Sequence, residues 1–240
     1  LTLKHQDGVT MSEWYDDDEL FELMRTKLFT GVVGDVMDKL GLKTQFLPPN
    51  LNVLDPAMVI AGRAMTVLEA DVHVEVAENS ANTLMAKPFG LMFEALDNLS
   101  KNDVYICTGA SPRFALWGGL MSIRAPYLKA AGAVLDGFVR DSQEILELGF
   151  PIACQGCYAQ DQGPRGKVLD YNVPVKIGEA QILPGDIIYG DRDGVLCVPR
   201  AHERKVIDAA LVKVRGERQV REALNNGMSV VEAFDTFQIM

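Results

Sequence analysis

Arg140 and Asp141 stand side by side at the end of a stretch running from Trp117 that reads as a glycine turn, a helix, a second glycine at Gly132, a short apolar run and then this pair. A guanidinium offers a planar fork of donors that matches a carboxylate. An adjoining carboxylate offers hard oxygen to a cation such as Mg²⁺ or Mn²⁺. Gly118 and Gly119 carry no Cβ, so the backbone there can approach a ligand closely. The helix after them leaves the N–H groups of Gly119, Leu120 and their neighbours without intrahelical partners, and its dipole favours an anion at that end. Residues of these types in this order suit a site for a small carboxylate and a metal ion. The competing account is an ion pair at a helix start, where an acid after a turn is common.

The elements that must position this stretch can be read around it. Val104-Tyr105-Ile106-Cys107 predicts a buried strand closed by Thr108-Gly109, whose carboxyl end leads into Trp117-Gly118-Gly119. Ligands bind at that end of strands in open α/β layers. Ala133-Val134-Leu135 predicts a second buried strand, turned by Asp136-Gly137, and a short helix follows Asp141 as far as Leu148, stopped by Gly149. Upstream, helices are expected over 16–29 and from a Thr30 cap to Leu40, then a strand pair or one bent strand over 58–68. Asp71 to Lys87 is helical by pattern, and so is Leu91 to Leu99. From Lys167 the texture changes to short strands separated by turns, and 201–226 predicts a long amphipathic helix. Helix–strand units followed by a strand-rich half imply a mixed α/β layer, and with no repeat or linker residues 1–240 are expected to form one domain.

Several other features invite chemistry and are better explained otherwise. Cys154-Gln155-Gly156-Cys157 has half of a zinc spacing, but no second pair or His cluster completes it. Cys107 and Cys197 lie in apolar runs as small hydrophobes. Asp191-Arg192-Asp193-Gly194 starts like a calcium loop, yet the later ligands are absent and a tight turn is expected. His73 has no partners at ligand spacing. A formal net charge of -10 opposes nucleic-acid binding, which needs phosphates neutralised by Lys and Arg. No apolar run approaches the roughly 20 residues of a membrane helix, and the first residues are too polar for a signal peptide, which points to the cytoplasm.

At Trp117-Gly118-Gly119-Leu120 and Val134-Leu135-Asp136-Gly137-Phe138-Val139-Arg140-Asp141 the chain resembles the RraA-like proteins, which include the class II 4-hydroxy-4-methyl-2-oxoglutarate/4-carboxy-4-hydroxy-2-oxoadipate aldolases. The likeness extends from about Leu28 to Pro199. The resemblance implies a swivelling β/β/α, phosphohistidine-domain-like αββα sandwich and a homotrimer or homohexamer. It implies a metal-dependent carbon–carbon lyase acting on 2-oxo acids through a pyruvate enolate, by aldol cleavage, oxaloacetate decarboxylation or both. Arg140 matches the family's substrate-binding Arg, and Asp141 its metal-binding Asp. Gly118, Gly119 and Leu120 would hold the substrate carboxylate by backbone, and Arg124, one helical turn beyond Leu120, is expected to meet a second carboxylate. Enzymes of this family usually carry Asp or Glu at the position of Gly119, so here a metal-bound water or another carboxylate must move the proton, or the step is lost. The alternative is a non-enzymatic regulator, like the family's namesake, binding an RNA-degrading enzyme.

Overall fold

The computed structural model describes residues 13–239. Its first helix, α1 (Asp17–Lys27), is capped by Asp16, whose carboxylate accepts from the Glu19 N–H at 2.9 Å. Asp17, Asp18 and Glu19 fill its first turn, where the helix dipole favours acid. α2 (Thr30–Lys39) starts differently from the expected Thr30 cap: Phe29 is the N-cap and contributes no side-chain bond. Asp191 instead accepts from both the Thr30 N–H at 2.7 Å and its hydroxyl at 2.6 Å. A carboxylate distant in sequence thus satisfies a helix start that local pattern assigned to the threonine.

β1 (Asn52–Val53) is short, whereas β2 (Ile60–Asp71) runs unbroken for 12 residues. The helix expected over 71–87 does not form; a single 3₁₀ turn at Thr83–Ala86 is all that segment contains. None of that turn is buried, and Val74 and Val76 lie exposed. Helices of this size draw their stability from a packed apolar face, and this one has no face to pack. α3 (Met92–Asp97) follows, then β3 (Asp103–Thr108), β4 (Ala115–Trp117), α4 (Gly119–Tyr127), β5 (Gly132–Val139), α5 (Ser142–Leu148) and β6 (Ile152–Cys157). Asp136-Gly137 does not end its strand as expected; β5 continues through it, with an irregularity in its pairing to β6 between Leu135 and Phe138. The strand-rich half supplies β7 (Gly166–Tyr171), β8 (Val175–Ile177), β9 (Ala180–Ile182), β10 (Ile187–Asp191) and β11 (Gly194–Val198). α6 (Glu203–Asn225) and α7 (Val230–Phe237) complete the described chain.

The main sheet has the order β1-β6-β5-β3-β2-β10-β11, with β4 added beside β5 and β7 beside β2. β2, β3, β5 and β6 pair in parallel, while β10 and β11 form the antiparallel hairpin expected around Asp191 to Gly194. Alternation along the strands sorts side chains between two faces. Val104 and Ile106 of β3, Val134 of β5, Ile188 of β10 and Cys197 of β11 share an inner core with Val175, Ile177, Ala180 and Ile182 of the β8–β9 pair. Their neighbours in sequence face outward into two helical layers. Tyr105, Cys107, Ala133 and Leu135 pack against α3, α4 and α5. Ile187, Tyr189, Leu196 and Val198 pack against α1, α2 and α6. One curved sheet with helices behind each half is the expected mixed α/β sandwich. Among the described residues no helix is long and apolar enough to cross a membrane.

One buried acid is expected to make the stability of the fold depend on pH. Glu69 on β2 is 2% exposed; the Cys107 thiol donates to its Oε2 at 3.4 Å, and its Oε1 has no partner among the described residues. Burial, with a smaller contribution from the Asp71 charge, pushes its carboxyl up to about 8 from the ordinary 4.5. Between those two values the folded chain holds a proton that the unfolded chain has released, so stability falls as pH rises. Glu69→Gln is expected to remove that slope. Its melting temperature should exceed the parent's by an amount growing from pH 5 to pH 8, at about 2–4 °C for each 1 kcal/mol in a chain of this size. Parallel pH profiles of thermal melts for the two proteins would reject this account.

Candidate functional site

The site is assembled where β4 and β5 end. Trp117, 2% exposed, closes β4; its indole N–H donates to Ser122 Oγ at 2.7 Å, and its ring stacks on Phe150 and meets Tyr105 edge-on. That anchoring places Gly118 and Gly119 at the start of α4. Beside it, the Arg140 N–H donates to the Trp117 carbonyl at 3.0 Å, so the exit of β5 is tied to the exit of β4. Both strands present their carboxyl ends to one cleft of about 310 Å³. Gly118, Gly119, Leu120, Arg140 and Asp141 line it together.

The Arg140–Asp141 pair is more than a helix-start ion pair. Asp141 occupies the N-cap of α5 in the left-handed region, φ 57°, and makes no cap bond to its own helix. Asp tolerates that conformation better than most residues. Its carboxylate turns across the cleft mouth, where Oδ2 accepts from the Gly119 N–H at 3.1 Å and lies 3.7 Å from Arg140 Nε. Arg140 also reaches Asp161 Oδ1 at 2.8 Å through Nη1. The glycines serve a purpose different from the one their sequence suggested. A Cβ on Gly118 would lie 2.9 Å from Asp141 Oδ2, and one on Gly119 would collide with the Glu144 carboxylate. The close approach is to the chain's own acids. Gly119's amide is already taken by Asp141, which leaves the first-turn amides of Leu120 and Met121 for an external anion.

Arg124 does not join this constellation, contrary to expectation. Its Nε donates to Asp97 Oδ1 of α3 at 2.7 Å, its guanidinium lies over the Tyr127 ring, and it is not among the cleft's lining residues. Helical periodicity put it on the face of Leu120, but that face is solvent-exposed at Leu120 and the acid on α3 holds the guanidinium outside. Three residues escaped sequence reasoning. Asp161 and Gln162 line the cleft from the loop between β6 and β7, and Glu144, in the first turn of α5, lies outside that lining with its carboxylate against Gly119, which belongs to it. Gln162 is 3% exposed, and its Nε2 has no partner among the described residues. Only Glu144, three residues past Asp141, carried a local hint.

A cation at this site can be weighed against the donors present. Among the described residues no group of three or more His, Cys, Asp or Glu side chains could hold a metal, which excludes a closed tetrahedral zinc set there. The four cysteines are free, with Cys154 buried and Cys157 exposed. Asp141 uses Oδ2 for its bonds to Gly119 and Arg140, Oδ1 has no hydrogen bond among the described residues, and the side chain is 49% exposed. One carboxylate facing open space fits Mg²⁺ or Mn²⁺, which retain waters and take further oxygens from a substrate.

A family model described as RraA-like (Aldolase/RraA) matches residues 30–197. A Halalkalibacterium halodurans protein named "Putative 4-hydroxy-4-methyl-2-oxoglutarate aldolase" is 30% identical over 207 residues, covering 85% of this chain and 89% of that protein. "Protein DlpA" of Legionella pneumophila is 26% identical over 207 residues, and the chain spans only 32% of its length. Among solved structures, Streptomyces coelicolor RraAS2, described as an unusual member of the RNase ES inhibitor RraA family, superposes with a TM-score of 0.71 at 24% identity. That likeness covers 87% of this chain and 98% of RraAS2, and shows a shared fold.

Proposed function

The chain belongs to the RraA-like family, and from that premise we propose that it is a divalent-metal-dependent lyase cleaving a carbon–carbon bond of 2-oxo acids. The observation that carries this reading is the convergence of Arg140, Asp141 and the free amides at the α4 start on one cleft. Cleavage of the C3–C4 bond leaves its electron pair on the three-carbon fragment as pyruvate enolate, with negative charge on the former keto oxygen. Arg140 supplies a fixed positive charge to that oxygen, held in position by Asp161. The substrate carboxylate rests on the N–H groups of Leu120 and Met121. Asp141 would hold Mg²⁺ or Mn²⁺, which when bound supplies Lewis acidity toward the oxo acid's oxygens. The chain acts in this reading as a homotrimer or homohexamer.

Glu144 is the group we assign to the proton. Its carboxylate lies against the Gly119 backbone, in space that a side chain at position 119 would claim. In aldol cleavage the C4 hydroxyl must lose a proton as the bond breaks, and the enolate carbon must gain one afterwards. Decarboxylation of oxaloacetate releases CO₂ and needs only the second transfer. Glu144→Gln should therefore lower aldol cleavage about a hundredfold, the lower range for a positioned base, and lower decarboxylation less. Equal losses in both reactions would remove Glu144 from the first transfer.

The reading itself is tested by incubating the protein with oxaloacetate and Mg²⁺ and following pyruvate with and without EDTA. Pyruvate formation that EDTA stops and excess Mg²⁺ restores is expected. Absence of turnover with oxaloacetate and with 4-hydroxy-2-oxo acids would favour the non-enzymatic regulator, a protein binding an RNA-degrading enzyme.

A further inference from the structure

β7 carries a lysine that the chemistry above does not use. Lys167 is 0% exposed, and lysine is almost never fully buried unless its charge is met. Its Nζ donates to two backbone carbonyls, that of Glu75 at 2.5 Å and that of Lys87. These acceptors lie 92 and 80 residues away in sequence, on the irregular segment that joins β2 to α3.

That segment depends on such bonds for its place. No residue of 72–89 is fully buried, so the chain's own core does not fix it. At its start the Val72 N–H donates to the Arg165 carbonyl at 2.7 Å. At its end the Val168 N–H donates to the Phe89 carbonyl at 3.1 Å, and the Leu91 N–H donates to the Val168 carbonyl at 2.9 Å. Gly90 passes so close to β7 that a Cβ there would stand 2.2 Å from the Val168 carbonyl oxygen. Between these ends the Ala77 N–H donates to the Met85 carbonyl at 2.8 Å and folds the segment into a closed loop. Lys167 bonds both limbs of that loop, so a single ammonium holds them together against β7. Backbone carbonyls outside a helix or sheet must find donors elsewhere, and a cation makes the stronger bond.

The second limb leads into the cleft. Phe89 follows Lys87 and Pro88, lines the cleft, and meets Phe93 edge-on with ring centroids 5.4 Å apart. Lys167 is not among the lining residues. All of these contacts lie within one chain and are made by buried or backbone groups of that chain.

We propose that Lys167 is a positioning residue: its buried ammonium clasps the 75–87 loop onto β7 and thereby seats Phe89 in the cleft. This rests on the lyase reading for the ligand that Phe89 meets, and goes beyond it in naming the group that sets this wall. Replacing a buried charge by an apolar side chain of similar volume often leaves stability unchanged, so the clasp fixes placement rather than the fold.

Hydrogen exchange read by mass spectrometry, beside steady-state kinetics with oxaloacetate and Mg²⁺, tests this on the full chain with Lys167→Met, Phe89→Ala and the double variant. Methionine keeps the length and the apolar stem and removes the donors. Lys167→Met should speed exchange in peptides over 77–91 at least about tenfold, the loss of one bond to a charged group, and leave α4 and β5 as in the parent. It should raise KM about three- to tenfold with kcat within about twofold, because the displaced wall contacts ground state and transition state alike. Phe89→Ala should reproduce the KM change without faster exchange over 77–87, and the double variant should add nothing to KM. Unchanged exchange over 77–91, faster exchange throughout the chain, or KM changes that multiply in the double variant overturns the proposal. Unfolding of both Lys167→Met and a second variant, Lys167→Gln, does the same, since Lys167 would then hold the core. A parent that turns over no 2-oxo acid removes the lyase reading, and the exchange pattern then decides the clasp by itself.

Discussion

Arg140→Ala is expected to lower kcat/KM for oxaloacetate and for 4-hydroxy-2-oxo acids about a hundred- to a thousandfold, the range seen when one preorganised donor to a developing oxyanion is removed. The guanidinium faces the cleft while held by Asp161 at 2.8 Å and by its own backbone bond to Trp117, so it is fixed before substrate arrives. Arg140→Lys should recover only part of the loss, because an ammonium keeps the charge but not the rigid fork. Neither change should unfold the chain. The ion pairs of Arg140 are about two-fifths to half exposed, and pairs of that kind contribute roughly 0–1 kcal/mol. Steady-state pyruvate release beside thermal melts checks both statements. An alanine variant within threefold of the parent, with an unchanged melt, would show that charge does not build at Arg140.

The second large effect is expected at Asp141, and two substitutions separate its chemistry from its conformation. Asn shares the tolerance of Asp for left-handed backbone, and its amide oxygen can still accept from the Gly119 N–H. Asp141→Asn therefore keeps the turn and deletes the charge. It should raise the Mg²⁺ concentration for half-maximal activity about ten- to a hundredfold, and weaken Mn²⁺ binding measured by calorimetry in the same proportion. Asp141→Ala loses the charge, the bond to Gly119 and the tolerated conformation, so it should also be less stable by about 1–2 kcal/mol. If Asp141→Asn titrates with metal as the parent does, the cation has its ligands elsewhere and the carboxylate serves only to hold the α4 start.

Residue order determined a good deal of this molecule without help from coordinates. The apolar strand through Ala133-Val134-Leu135, the Arg140-Asp141 pair at its exit, and the glycines opening the helix at Gly119 are local features. Alternation, glycine placement and helix starts are governed by residues within a few positions of one another, which sequence displays directly. The tertiary structure decided what those groups face. Asp141 turns away from its own helix to Gly119 because β4 is paired beside β5, a pairing no local pattern encodes. Asp161 reaches Arg140 from the loop after β6, and Glu144 fills the space above Gly119 only because α4 and α5 pack together. Arg124 was placed on the cleft by periodicity and withdrawn by Asp97 on α3, a partner 27 residues away. The 71–87 segment was helical by pattern, yet Val74 and Val76 lie exposed and none of its 3₁₀ turn is fully buried, so the pattern had no core surface on which to act. Periodicity orders side chains about an element's axis; which direction holds an acid, an apolar wall or water depends on packing between residues distant in the chain.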